Sequence, residues 1–148
     1  MKNWIIGLTC LLTSSLAFSA DIAGTWRTID DKTGFSKALI EVKQQPDGTY
    51  NGTVIKSIPR PGYTPKETCQ NCPAPFTNKP IAGLKVMWGL EADPKKENNY
   101  KDAQVLDPLS GKVYKGKVKV SEDGRRLTMR GYVGISALGR SQTWVREN

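Results

Sequence analysis

Tyr114-Lys115-Gly116-Lys117-Val118-Lys119-Val120 is the stretch on which the fold turns. Lysine stands at every second position, with Gly or Val between. A β-strand sends successive side chains to opposite faces, so this pattern puts the lysines in water and Tyr114, Gly116, Val118 and Val120 inward. A helix would scatter the same lysines around its circumference. Glu122-Asp123-Gly124 then supplies a turn, after which Leu127, Met129, Gly131 and Val133 alternate with Thr128, Arg130 and Tyr132. Two alternating runs joined by a tight turn read as an antiparallel hairpin.

The same period extends outward along the chain. Ala38, Ile40 and Val42 share one face while Leu39, Glu41 and Lys43 share the other, and Asp47-Gly48 turns the chain into Tyr50 to Lys56. Segments near 24–30, 36–43, 49–56, 84–90, 101–106, 112–120, 125–133 and 141–147 give about eight short strands. Sequential hairpins predict an all-β, antiparallel up-and-down barrel, because closure removes the edges that an open sheet exposes. A two-sheet sandwich uses the same alternation and is the alternative. Residues 57–80 break the rhythm with Pro59, Pro61, Pro65, Pro73, Pro75 and Pro80, too many for a central strand. They predict one long Pro-rich loop beside the barrel, with a short helical turn around Asn78 to Ala82.

At the N-terminus Lys2 precedes an apolar run from Trp4 to Leu12, followed by small and polar residues ending in Ala17-Phe18-Ser19-Ala20. That order predicts a cleaved signal peptide over 1–20 and one domain over 21–148. The run is too short to span a bilayer, so no transmembrane segment is expected in the mature form. Cys10 lacks the sequence context of a lipid-attachment cysteine. The expected location is therefore the periplasm or the exterior. The formal charge of +8 falls to about +7 once Lys2 is removed, which suits anionic surfaces. The basic residues are nonetheless spread along alternating strands, and export argues against nucleic acid as a partner.

The chain has no histidine, which removes Ser-His-Asp and Cys-His catalysis, imidazole metal sites and switching near neutral pH. Cys69-Gln70-Asn71-Cys72 is the most conspicuous local motif. A redox pair of the thioredoxin type needs a helix N-terminus in an α/β setting, and Pro73 and Pro75 follow here instead. A closed zinc site needs four ligands, and two thiols without histidine fall short. A structural disulfide that holds the loop in shape remains, worth about 2 kcal/mol by loop entropy. Neither a metal nor a cofactor is expected. Asp102 and Asp107 show no spacing that would make them an acid pair, and Asp107-Pro108 through Gly111-Lys112 reads as a turn.

Gly24-Thr25-Trp26 opens the domain, and Arg140, Trp144 and Arg146 close it. First and last strands are neighbours in a closed meander, so an Arg from the last can stack on Trp26. The expected barrel-closing pair is Trp26 with Arg140. Gly52, Gly116 and Gly131 stand on inward faces, where they leave room or bend the strand. Ile40, Val42, Val54, Val118, Leu127 and Met129 are the expected lining of an interior site, since eight strands either fill their interior or hold one small molecule.

Gly24-Thr25-Trp26, the Cys69–Cys72 pair, Pro80-Ile81-Ala82-Gly83-Leu84, Asp107-Pro108 with Gly111-Lys112-Val113-Tyr114, Arg130-Gly131-Tyr132 and Leu138 to Trp144 occur in one order over nearly the whole mature chain. In this the sequence resembles the secreted bacterial family known as the domain of unknown function numbered 2147, within the lipocalin-like barrels. It departs from the family at Tyr100, Ala103 and Val105, where Trp, Gly and Ile are common. The resemblance implies an exported barrel and brings no catalytic residue with it. The functional expectation is non-catalytic binding of a small apolar or amphipathic ligand, such as a fatty acid. The alternative is an envelope protein-interaction module that works through the disulfide-pinned loop and exposed Tyr63, Phe76 and Trp88.

Overall fold

The computed structural model describes residues 21–147. They form eight strands: β1 (Gly24–Ile29), β2 (Ser36–Gln44), β3 (Tyr50–Ser57), β4 (Lys85–Ala92), β5 (Asn99–Leu106), β6 (Val113–Val120), β7 (Arg126–Tyr132) and β8 (Arg140–Arg146). Each pairs antiparallel with the next, and β8 returns to β1 through Trp26↔Arg146, Arg27↔Val145 and Thr28↔Trp144. The sheet closes on itself, which rules out the sandwich and confirms the up-and-down barrel. The expected signal peptide over 1–20, with Cys10, lies outside the described residues.

Alternation decides which side chains fill the barrel. Lys115, Lys117 and Lys119 of β6 are exposed, while Gly116, Val118 and Val120 are buried. Facing them across β7 are Leu127 and Met129, paired with Val120 and Val118. Val133 departs from its expected inward place: it lies just past the end of β7 and is 72% exposed.

The Pro-rich segment between β3 and β4 folds back on itself and onto the outside of the barrel. Its arms are joined by the Thr68–Pro80 bridge, by Cys69 N–H donating to the Lys79 carbonyl at 2.9 Å and by Ile81 N–H donating to the Glu67 carbonyl at 2.8 Å. Those bonds use the backbone groups that a helix over 78–82 would need, and no helical turn forms there. The one helical turn among the described residues is a 3₁₀ turn at Ser136–Leu138. Met87 pairs with Val105 on the inner face, so neighbouring Val86 and Leu106 point outward. Both are nonetheless buried, with Phe76 of the loop stacked at 5.4 Å on outward Trp88. The loop thus shields a strip of apolar outer wall.

Cys69 and Cys72 form the expected disulfide within this loop, with Cα atoms 5.4 Å apart. Both sulfurs lie 3.9 Å from the Pro108 carbonyl oxygen. A side chain at Gly111 would collide with the Asn71 carbonyl. Disulfide loop and β5–β6 turn are therefore packed backbone to backbone. Asp107 holds its side of the contact by accepting from Leu109 N–H at 2.9 Å and from the Ser110 hydroxyl at 2.8 Å.

Candidate functional site: the open mouth of the barrel

The two ends of the barrel are built differently. At one end Trp26 is completely buried, and its indole N–H donates to the Ile22 carbonyl at 2.8 Å. The Arg146 guanidinium stacks over the ring at 4.2 Å from its centroid. It also donates to the carbonyls of Gly124 at 2.7 Å, Ala23 at 2.9 Å and Asp21 at 2.6 Å. One cation thereby ties the β6–β7 turn, the leading segment and the indole together. Tyr50 and Tyr100 meet edge to face beside it at 5.5 Å, and burial pushes both phenols above their ordinary titration range. This end is sealed.

Arg146 therefore takes the role expected of Arg140. Strand register is the reason: Trp26 lies opposite Arg146, whereas Arg140 lies opposite Gly131 at the other end of β8. Arg140 instead donates to Asp31 in the β1–β2 turn at 2.6 Å, an exposed ion pair. Asp31 holds the guanidinium even more firmly charged, with smaller contributions from Tyr114 and Asp30.

Arg140 marks the open end. Trp144 points into the barrel, and its register with β7 runs without a break, so Gln142 and Arg140 stand on the same inward row. Trp144 is 4% exposed, yet Gln142 and Arg140 are exposed. The Trp144 indole N–H reaches the Gln142 amide oxygen at 3.5 Å. Tyr114 and Gly131, on the same inward rows of β6 and β7, are half-buried. Inward-facing positions thus meet solvent here, giving a mouth with a guanidinium, an amide and a phenol above an apolar interior.

All six expected lining residues, Ile40, Val42, Val54, Val118, Leu127 and Met129, lie in the interior and are at most 3% exposed. The room beside the glycines is taken. A Cβ on Gly52 would stand 3.2 Å from the Met87 methyl carbon and 3.3 Å from Ile40. On Gly116 it would stand 2.6 Å from Val105 and 3.5 Å from the Met129 sulfur. Unbranched Met87 therefore occupies the volume that Gly52 releases, while at Gly116 Val105 is nearest, with Ala103 and Met129 behind it. Gly131 faces Tyr114, whose Cβ lies 3.7 Å and first ring carbon 3.9 Å away by the same measure.

Of the apolar rim, only Tyr63 was expected from the sequence to be exposed. Loops at the mouth expose Phe35, Tyr63, Leu109, Val133, Ile135 and Leu138. Arg60 sits between two of them, 5.3 Å from the Phe35 ring and 5.0 Å from the Tyr63 ring. Of the three aromatics expected to be exposed, Tyr63 is, whereas Phe76 and Trp88 partly bury one another. The signal in the sequence was the set of apolar residues Val133, Ile135 and Leu138 around Gly134, of which period-2 alternation takes Val133 into the strand and leaves the other two in the connection.

Comparison with known proteins places the chain. No curated protein matches it. Among solved structures it is similar to one described as "Protein HP1028 from the human pathogen Helicobacter pylori belongs to the lipocalin family", at 21% identity and a TM-score of 0.72, over 87% of this chain and 84% of that one. This likeness supports the barrel fold. Residues 24–146 match a bacterial family, and on that match the chain belongs to the family described as "Uncharacterized protein conserved in bacteria (DUF2147)".

Proposed function

We propose that this protein is exported to the cell envelope and there binds, without catalysis, one small amphipathic molecule of the fatty-acid class through the open mouth of its barrel. The observation that carries this reading is the asymmetry of the two ends: one is sealed by Trp26 and Arg146, while at the other the inward row of β8 surfaces as Gln142 and Arg140. An acyl chain fits below the mouth by displacing Met129 and Met87, which turn aside more cheaply than branched side chains. A carboxylate head fits beside Arg140, exchanging the Asp31 contact for its own. The disulfide suits an oxidising compartment. In this reading the protein is a carrier or sensor.

Native mass spectrometry of protein recovered gently from the envelope tests the reading. A stoichiometric adduct that solvent extraction identifies as a lipid or fatty acid is expected. Arg140→Gln should weaken a fatty acid by about tenfold, the worth of one exposed charge-assisted contact, and leave the matching fatty alcohol unchanged. A protein that stays free of adduct at saturating fatty acid contradicts the proposal.

A further inference from the structure

The loop between β7 and β8 is an apolar projection held in a defined shape. Val133 is 72% exposed, Ile135 61% and Leu138 79%. Disorder does not account for them, because Arg130 pins the loop from beneath. Its guanidinium donates to the carbonyl of Ser136 at 2.6 Å, to that of Ala137 at 3.2 Å and to the Ser141 hydroxyl at 2.9 Å. Gly139 brings the returning leg so close that a side chain there would run into the Gly131 carbonyl. The polar groups of the loop are thus turned toward the barrel and its apolar side chains away from it.

The wall below this loop is basic. Lys115, Lys117 and Lys119 line the exposed face of β6, and Lys117 stands directly opposite Arg130 of β7. Like charges facing each other across a ladder cost stability. Among the described residues none of these lysines forms a salt bridge. An apolar tip at the head of a row of cations that form no ion pair is the arrangement that fits an anionic bilayer surface, with side chains in the acyl boundary and lysines at the headgroups.

We propose that the protein docks on anionic lipid surfaces through the β7–β8 loop and the β6 lysine row. This holds whether or not the barrel carries a ligand, and it places the loop of the open mouth against the bilayer.

Vesicle co-sedimentation tests it, using protein expressed at full length and recovered from the envelope fraction. Vesicles of phosphatidylglycerol with phosphatidylethanolamine should pellet the protein, with binding that weakens as salt rises, whereas pure phosphatidylcholine should not. Replacing Lys115, Lys117 and Lys119 by Gln together should lower partitioning by about a hundredfold. Ile135→Asp with Leu138→Asp should lower it by at least about tenfold without shifting the thermal midpoint. Replacing Lys37, Lys43 and Lys56 by Gln, on the opposite wall of β2 and β3, should leave it unchanged. Equal loss with either lysine triple would reduce the effect to net charge and overturn the proposal. Binding to native envelope vesicles but not to their extracted lipids would assign the surface to a protein partner and overturn it as well.

Discussion

Two arginines six residues apart on β8 have opposite jobs, and the difference lies in what their guanidinium groups touch. Arg146 makes three hydrogen bonds to carbonyls and covers a buried indole. Arg140 makes one exposed ion pair. Arg146→Ala should therefore cost about 2–3 kcal/mol, since charge-assisted bonds and a stacked cation are lost together. Arg140→Ala should cost less than about 1 kcal/mol, as exposed pairs do. Urea unfolding of the two variants separates them, and equal losses would contradict the assignment. Gly116→Ala should cost about 1–3 kcal/mol by the same method, because its Cβ would press on Val105 in a filled interior. The sequence pointed to an Arg over Trp26 because first and last strands of a closed meander are neighbours. It did not show which Arg, because that depends on the offset of β8 against β1, and both candidates lie on the same face of β8.

All eight strands were legible in the sequence from period-2 alternation, most clearly in β6, where Lys115, Lys117 and Lys119 mark the solvent side. The loops were legible only where turn chemistry is local. Asp107 accepts bonds from the residues just after it, so the β5–β6 turn could be read from Asp107-Pro108 and Gly111. The segment between β3 and β4 could not, because its shape comes from bonds between residues about ten apart, such as Cys69 to Lys79. Val133, Ile135 and Leu138 were missed for a related reason. Alternation puts Val133 inward and gives Ile135 and Leu138 no face at all, and what turns this loop outward is Arg130 reaching its carbonyls from the strand. Reducing the disulfide should loosen the Pro-rich loop and leave the barrel closed, since the arms keep their own hydrogen bonds. Limited proteolysis should then cut within 58–84, with stability falling by about 2 kcal/mol and far-ultraviolet circular dichroism unchanged. Collapse of the β signal on reduction would show that the disulfide holds the barrel itself.

For the molecule as a whole, the absence of histidine and the placement of its tyrosines set the response to pH. The thermal midpoint should be flat between about pH 5 and 8, where no side chain of the chain ordinarily titrates. At high pH the sign follows from Tyr50 and Tyr100, whose folded pKa values are raised by burial above the ordinary 10.0. Their contribution is fully present below the unfolded value and is lost as pH rises through the folded ones. Scanning calorimetry should show the midpoint falling only above about pH 10, and a fall near neutrality would contradict this. The central claim is that the softly filled barrel admits an amphipathic ligand through its mouth. It is tested most directly by methyl NMR of protein labelled at the methionine methyls, because Met87 and Met129 are the only methionines beyond Met1. Titration with a medium-chain fatty acid below its micelle threshold should shift both methyl signals and saturate at one equivalent, with Arg140→Gln weakening the effect. Methyl signals that stay in place at saturating fatty acid would show a permanently filled barrel and contradict the account.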